Sequence, residues 1–141
     1  MAARFVVDNS VVMAWCFKDD SDPYADRVLE SLCTAAALVP TIWPLEVVNV
    51  LLAAERRNRL VEADSIRFIS LLNRLPIRVE PQPRVEGLMG GLLPVARKYG
   101  LSSYDASYLH LAMRNGLALA TRDEKLKAAA KKAKVALWAH K

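Results

Sequence analysis

The segment Arg4-Phe5-Val6-Val7-Asp8 places three consecutive apolar residues directly before an acid. A short apolar run rich in β-branched and aromatic residues predicts a buried β-strand over residues 4–8. The carboxylate of Asp8 ends this strand and precedes Val11 and Val12, so we expect it to be partly buried. A carboxylate in that position needs backbone N–H groups or a cation as a partner. Asp8 is therefore the first candidate functional residue.

Strand-like and helix-like segments alternate along the rest of the chain. Asp22 is placed as an N-cap, and Gly100 and Gly116 are placed to end helices. Further strands are predicted at 36–43, 77–80, 117–121 and 135–138, and helices at 22–33, 44–57, 62–75, 85–98, 102–115 and 123–132. The alternation predicts an α/β fold with a central parallel sheet of about four to five strands.

Apolar spacing and helix-breaking residues add detail to three of these helices. The predicted apolar stripes are Val47, Val48, Leu51 and Leu52 in one helix, and Ile66, Ile69, Leu72 and Leu75 in the next. The helix at 85–98 contains Gly87, Gly90, Gly91 and Pro94. Those residues predict close packing or a kink in that helix.

Length and composition fit one domain spanning residues 1–141. Apolar residues make up 53% of the chain and charged residues 25%, which is typical of a soluble globular protein. No apolar run approaches the ~20 residues that a membrane span needs, and Asp8 interrupts the short apolar run near the N-terminus, unlike in a signal peptide. We therefore expect no membrane association and a cytoplasmic location. The net charge of +5 favours polyanionic partners, although it is a weak signal alone.

The cysteines and histidines do not suggest a metal centre of their own. Cys16 and Cys33 are expected to be free thiols, buried or partly buried. His110 and His140 lack metal-ligand spacing, so a histidine-based zinc site is not expected.

Four acids occupy equivalent places in the predicted topology. Asp8 ends the first strand, Glu46 and Asp105 lie in the first turns of two helices, and Asp123 follows the strand at 117–121. Each one alone could simply stabilise a helix dipole, by about 0.3–1 kcal/mol. However, the carboxyl ends of parallel strands share one edge of the sheet, where ligands bind. Four carboxylates at that edge favour a divalent cation, Mg²⁺ or Mn²⁺, over internal ion pairs.

The segments around these acids resemble a known family. They are Val6-Val7-Asp8-Asn9-Ser10, Pro44-Leu45-Glu46-Val47-Val48-Asn49, Ser103-Tyr104-Asp105-Ala106 and Ala120-Thr121-Arg122-Asp123. Their order and spacing look like the four motifs of PIN-domain nucleases, and the likeness covers essentially the whole chain. The short single-domain form resembles the VapC-type toxins of toxin–antitoxin pairs. The resemblance implies a three-layer α/β/α PIN-like fold and a metal-dependent endoribonuclease.

The resemblance also implies roles for individual residues. Asp8, Glu46, Asp105 and Asp123 would be the catalytic, metal-binding acids, with Mg²⁺ or Mn²⁺ as cofactor. Glu46 would either ligate the metal or orient the attacking water. Ser10, Thr121 and Asn49 match supporting polar positions of the family. Arg122, beside Asp123, is the basic residue best placed to approach the scissile phosphate of an RNA substrate. Glu124 matches an accessory ligand of some relatives, but a solvated residue in the first turn of a helix is the simpler explanation of its position.

The family resemblance implies protein partners as well. A small VapB-type antitoxin would lie across the toxin and its active site, and the chain would form a homodimer. The helices around 22–33 and 44–75 carry enough apolar residues for a groove of this kind. The aromatic residues considered for the groove, or alternatively for the core, are Trp15, Phe17, Trp43 and Phe68.

Other functions fit the sequence less well. A receiver-like phosphoacceptor domain needs paired acids at the first strand end, but Asp19 and Asp20 are too far beyond Asp8, and the strand 117–121 carries no lysine. A phosphatase of the haloacid dehalogenase type needs Asp-x-Asp where this chain has Asp8-Asn9-Ser10. A non-catalytic RNA- or protein-binding module with the same fold remains an alternative, which metal-dependent RNA cleavage would separate from a nuclease.

Overall fold

The computed structural model describes residues 3–81 and 84–139, so that Pro83 and His140 lie outside the described residues. A short 3₁₀ helix at Lys18–Asp20 follows the first helix. The strands and α-helices, numbered separately in chain order, are β1 (Ala3–Val7), α1 (Asn9–Ala14), α2 (Pro23–Ser31), β2 (Ala35–Val39), α3 (Trp43–Arg56), α4 (Glu62–Asn73), β3 (Ile77–Val79), α5 (Val85–Tyr99), α6 (Ser103–Asn115), β4 (Ala118–Ala120) and α7 (Glu124–Lys132).

The strands form one four-stranded parallel sheet in the order β3-β2-β1-β4. Phe5 lies opposite Ala37 on one side and Ala118 on the other, which makes β1 a central strand. Helices connect all of these strands, and this confirms the predicted α/β fold with a parallel sheet. Because every strand runs the same way, the residues that follow the strands gather at one edge.

The central strand is buried on both faces. Phe5, Val6 and Val7 have no solvent-accessible surface, as the apolar run predicts. The Phe5 ring stacks on Trp138 with ring centroids 4.4 Å apart. Helix α6 packs against β1, β4, α5 and α7, so it links the sheet to the C-terminal part of the fold. The acid that follows β1 is thereby attached to the buried end of a central strand.

Helix α1 is absent from the sequence prediction. It begins directly after Asp8, whose carboxylate caps it by accepting a hydrogen bond from the backbone N–H of Val11. The residues of α1 from Val11 to Ala14 are buried. Packing against α2 and α3 therefore outweighs the weak helix propensity of two adjacent valines.

The predicted strands at 36–43 and 135–138 differ most from the structure. The segment 36–43 contains β2, which ends at Val39; Trp43 then begins α3, with its N–H donating to the Pro40 carbonyl. The segment 135–138 makes only a single parallel bridge, between Leu119 and Leu137. Positive φ angles at Lys134 and Ala139 bend the chain on both sides of that bridge, which limits the pairing to one residue.

The apolar stripes are partly misassigned. In α3, Val47 and Leu51 are buried, whereas Val48 and Leu52 are exposed. In α4 the inward residues are Ser65, Phe68 and Leu72, while Ile66 and Ile69 face solvent. The groove aromatics Phe17, Trp43 and Phe68 belong to the core, and Trp15 is half-buried. Cys33 is exposed, contrary to expectation, and Cys16 is half-buried.

No helix in residues 3–81 and 84–139 combines the length and apolar character that crossing a bilayer would require.

Candidate active site

Four elements deliver the four predicted acids to one cleft. Asp8 follows β1 and caps α1, Glu46 lies in the first turn of α3, and Asp105 lies in the first turn of α6. Asp123 caps α7, where its carboxylate accepts from the N–H of Lys125 at 2.9 Å. All four acids line a cleft of about 600 Å³ at the carboxyl edge of the sheet. Acids separated by up to 115 positions in the sequence thus share one surface.

Asp8 is held by two hydroxyl groups, one from the first turn of α1 and one from the loop after β4. Ser10 donates to its Oδ1 at 2.6 Å, and Thr121 donates to its Oδ2 at 2.5 Å. The N–H of Asp123 in turn donates to the Thr121 hydroxyl at 3.0 Å. This chain of hydrogen bonds joins the first turn of α1 to the loop after β4. Ser10 and Thr121 therefore both hold the Asp8 carboxylate, and the supporting role that the motifs imply for them stays a prediction.

Glu46 has a buried partner that the sequence reasoning did not identify. The hydroxyl of Tyr108 donates a short hydrogen bond to Glu46 Oε1. Tyr108 is buried on α6 and lines the cleft beside Asp105, which precedes it by three positions. An i, i+3 spacing places both side chains on one helix face, and that spacing could have revealed Tyr108. The contact fixes Oε1 of Glu46, whereas Oε2 takes no part in it.

Burial raises the proton affinity of three of the acids. It raises the pKa of Asp8 to about 6, although the Ser10, Thr121 and Val11 hydrogen bonds oppose the shift. Burial and the nearby Asp105 raise the pKa of Glu46, whereas the Tyr108 hydrogen bond lowers it. Burial and the charge of Asp123 raise the pKa of Asp105. Partly buried carboxylates that repel one another are the setting in which a cation is favoured.

The charge balance of the cleft is strongly acidic. Its lining includes six carboxylates and two guanidinium groups, those of Arg59 and Arg122. Arg59 pairs with Asp19 at 3.2 Å and Arg122 pairs with Asp20 at 2.7 Å, so both cations are engaged by acids of the 3₁₀ helix. Within the described residues, no ion pair involves any of the four predicted acids.

A fifth acid at the same sheet edge, Glu80, differs from the four cleft acids because it forms an ion pair. Glu80 follows β3 and is buried, but Arg114 of α6 donates to its carboxylate at 2.7 Å. Glu80 is therefore neutralised within the fold. The four acids of the cleft are not, which leaves their charge available to a cation from solution.

The donor chemistry of the cleft fits a hard divalent cation, for which carboxylate and carbonyl oxygens are the usual ligands. Asn9 adds an amide oxygen: its Oδ1 is buried at the cleft, and no described residue donates a hydrogen bond to it. However, in residues 3–81 and 84–139 no three Asp, Glu, His or Cys side chains are arranged so that they could hold one ion together. The carboxylates would have to approach one another around the cation, which screens the repulsion that separates them.

Of the two remaining predicted residues, Asn49 lies outside the cleft and Arg122 lines it. Asn49 on α3 is exposed and is not part of the cleft lining. Arg122 lines the cleft, but its guanidinium is bonded to the protein itself. Asp19 and Asp20, which the sequence places far beyond Asp8, lie on the cleft rim because α1 turns the chain back toward the sheet edge.

Comparisons with known proteins agree with this fold. The crystal structure of PAE2754 from Pyrobaculum aerophilum is 28% identical, with a TM-score of 0.67, over 92% of this chain and 87% of that chain. A toxin–antitoxin complex from Klebsiella pneumoniae is 18% identical, with a TM-score of 0.63, over 88% of this chain and 90% of that chain. The crystal structure of VapBC2 from Rickettsia felis, bound to a DNA fragment from the VapBC2 promoter, is 12% identical, with a TM-score of 0.66. The match covers 95% of this chain and 96% of that chain. The last two similarities concern the fold alone.

Among curated protein sequences, none matches the chain significantly. The model of the PIN domain family, in contrast, matches residues 5–132, which include most of β1, all of β4 and the four acids of the cleft. The chain therefore belongs to the PIN domain family.

Proposed function

We propose that this chain is a metal-dependent endoribonuclease that hydrolyses RNA phosphodiester bonds and acts as the VapC-type toxin of a type II toxin–antitoxin pair. The observation that carries the proposal is the cleft itself. Asp8, Glu46, Asp105 and Asp123 line it from four separate elements, and within the described residues none of them forms an ion pair. The parallel topology brings these acids to one edge, but helix capping does not require that four neighbouring carboxylates share a cleft without an ion-pair partner, because burying like charges together costs free energy.

Each acid has a role that follows from its surroundings. Asp8, Asp105 and Asp123 would hold Mg²⁺ or Mn²⁺, with Asn9 as a further oxygen donor. When bound, such an ion lowers the pKa of a water molecule and neutralises charge on the phosphate. Ser10 and Thr121 hold the Asp8 carboxylate in place through its two oxygens. Tyr108 holds Glu46, which either completes the ligand set or accepts a proton from the attacking water.

The substrate and partner assignments rest on the family and on surface properties. RNA is supported by the PIN family and by a net charge of +5, which attracts polyanions. An antitoxin groove is supported by exposed aliphatic side chains on α3 and α4, namely Leu45, Val48, Leu52, Ile66 and Ile69. The toxin–antitoxin and VapBC2 structures, which share the fold, support the same partner class. A homodimer and a cytoplasmic location complete the proposal.

The decisive experiment is cleavage of a mixed RNA substrate by the purified protein in Mg²⁺ or Mn²⁺, compared with EDTA. We expect cleavage only with metal, and a loss of at least about a hundredfold in Asp8→Asn and in Asp105→Asn. Glu124→Gln is the matched control, because Glu124 adjoins Asp123 but is exposed and pairs with Lys127 outside the cleft. It should cleave like the wild type.

The competing assignment is a non-catalytic RNA- or protein-binding module. Folded, metal-supplemented wild-type protein that binds RNA without cleaving it would favour that module. Cleavage that survives EDTA, or that is equal in Asp8→Asn and wild type, would point to a contaminating nuclease and would contradict the proposed site.

A further inference from the structure

The guanidinium of Arg122 is enclosed by oxygen atoms of the protein. Its Nε donates to the Ser10 carbonyl at 2.9 Å, and its Nη2 donates to Asp20 Oδ2 at 2.7 Å. Its Nη1 lies 2.9 Å from Asp22 Oδ2, 3.2 Å from the Asp20 carbonyl and 3.3 Å from Asp20 Oδ1. Only 23% of the side chain is exposed to solvent. A guanidinium has five N–H groups, so at most one of them, on Nη2, is left without an acceptor.

This arrangement is poorly suited to binding a phosphate. The single positive charge of Arg122 faces two carboxylates, those of Asp20 and Asp22, so the cluster carries a net negative charge. A phosphate oxygen would have to displace a carboxylate that is already paired in a forked geometry. The free N–H that remains could offer one bond without the bidentate fit that makes arginine effective at phosphates.

The same contacts connect the parts of the chain that carry the catalytic acids. The backbone N–H of Arg122 donates to Ser10 Oγ at 3.0 Å, and Ser10 Oγ donates to Asp8. Together with the Nε bond to the Ser10 carbonyl, Arg122 is thus fastened to Ser10 at two points. Arg122 immediately precedes Asp123, so these bonds tie the loop after β4 to the first turn of α1.

The side chain also fixes the cleft rim. Asp20 belongs to the 3₁₀ helix and lines the cleft, and Asp22 caps α2 through the N–H of Ala25. By pairing with both, Arg122 holds the segment 18–22 against the sheet edge.

We propose that Arg122 is a positioning residue: it ties segment 18–22 and the β4–α7 loop to Ser10, sets the separation of Asp8 and Asp123, and does not contact the RNA phosphate. The inference rests on the proposed nuclease function for its kinetic consequences, but the contacts that carry it do not depend on that function.

Four variants of the full chain separate positioning from phosphate binding. They are Arg122→Ala, Arg122→Lys, the double variant Asp20→Asn with Asp22→Asn, and the combination of Arg122→Ala with that double variant. Asparagine at position 22 keeps an N-cap acceptor, so α2 remains capped. The readouts are hydrogen exchange at the amides of residues 18–22, Mn²⁺ affinity by calorimetry, and kcat and KM on an RNA oligonucleotide that the wild type cleaves.

Positioning predicts one pattern. Arg122→Ala should increase exchange at residues 18–22 and weaken Mn²⁺ binding and kcat by about 10- to 100-fold, the usual effect of losing a residue that orients metal ligands, while KM changes little. Arg122→Lys should not rescue, because an ammonium lacks the Nε bond and the fork. The double asparagine variant should change in the same direction, and the combined variant should be no worse than Arg122→Ala, as expected for residues acting through one contact.

Phosphate binding predicts the opposite pattern and would overturn the inference. Freeing Arg122 in the double asparagine variant would then lower KM, Arg122→Lys would retain most activity, and Arg122→Ala would raise KM without changing exchange. Should the wild type cleave no RNA, the proposed function fails, yet the exchange and Mn²⁺ measurements still decide the positioning role. Unchanged exchange and unchanged Mn²⁺ affinity in Arg122→Ala would then refute it.

Discussion

Asp8 shows how one residue can serve both the fold and the site. Its carboxylate is 5% exposed, caps α1 and accepts hydrogen bonds from two hydroxyl groups. Those bonds favour the charged form, but burial disfavours it more, so the net effect is a raised pKa. In the metal-free protein, the hydrogen bonds to the Asp8 carboxylate therefore do not offset the cost of burying its charge. A bound divalent cation would supply the missing stabilisation.

The pH dependence of stability follows from this shift. The folded-state pKa of Asp8, about 6, lies above its ordinary value of 3.8, so the folded state binds a proton that the unfolded state has released. The stabilisation that this group contributes is fully present at pH values below 3.8, and it is lost as the pH rises through the folded-state pKa of about 6. We expect the free energy of unfolding in EDTA to fall by up to about 3 kcal/mol across that range.

Urea denaturation in EDTA at a series of pH values from 4 to 8 measures this effect, and Asp8→Asn is the control that removes the titrating group. The difference between the two proteins should grow with pH in favour of the variant. Parallel pH profiles for wild type and Asp8→Asn would show that Asp8 does not titrate in this window.

At the scale of elements, Gly91 is the point at which α5 comes close to the His110 side chain of α6. Asp105 lies in the first turn of α6, and α5 packs against α6, so this packing affects the position of the acid. A Cβ atom added at Gly91 would lie 2.6 Å from His110 Nε2 and 2.8 Å from Cε1, whereas one added at Gly90 meets nothing within 4 Å. The glycines of α5 therefore have different roles: Gly91 permits close packing, as the sequence predicted, and Gly90 does not.

Gly90→Ala and Gly91→Ala form a matched pair for testing that contact. Alanine at Gly90 should stabilise the protein by about 0.5–1 kcal/mol, because glycine is unfavourable inside a helix. Alanine at Gly91 should instead destabilise it by about 1 kcal/mol, since the His110 ring must move. Thermal denaturation measures both changes. In a His110→Ala background Gly91→Ala should become stabilising, and equal effects of the two alanines in the wild type would contradict the proposed contact.

At the scale of the whole molecule, the charges are segregated. The chain has a net charge of +5, yet the cleft is lined by more carboxylates than guanidinium groups. Helix α7 begins at the cleft with Asp123 as its cap and carries Lys125, Lys127, Lys131 and Lys132 along its length. An acidic centre next to a basic helix suits a cation bound beneath a polyanion.

Metal binding should therefore stabilise the entire fold. A ligand that binds only the folded state at 100 times its Kd adds about 2.7 kcal/mol to the free energy of unfolding. We expect Mn²⁺ to raise the Tm of the wild type in this way and to have much less effect on Asp105→Asn. Differential scanning calorimetry with and without Mn²⁺ provides the measurement, with Glu124→Gln again as the control. An equal shift in all three proteins would indicate nonspecific binding to the surface.

The sequence by itself determined the parallel α/β architecture, the buried central strand and the positions of the four acids at strand ends and first turns. These features depend on local periodicity and on capping residues such as Asp22, Gly100 and Gly116, and local interactions control both. The convergence of the acids also followed, because parallel strands leave their carboxyl ends at one edge.

Only the tertiary structure decided which apolar residues face inward, which side chains support the acids and what Arg122 contacts. In α4 the spacing of Ile66 and Ile69 was as helical as that of Phe68 and Leu72, and only the packing surface selects between two adjacent faces. Tyr108 reaches Glu46 across 62 positions of sequence, and Arg122 reaches Asp20 across 102. Such contacts depend on how separate elements are placed against one another, which no local pattern of residues encodes.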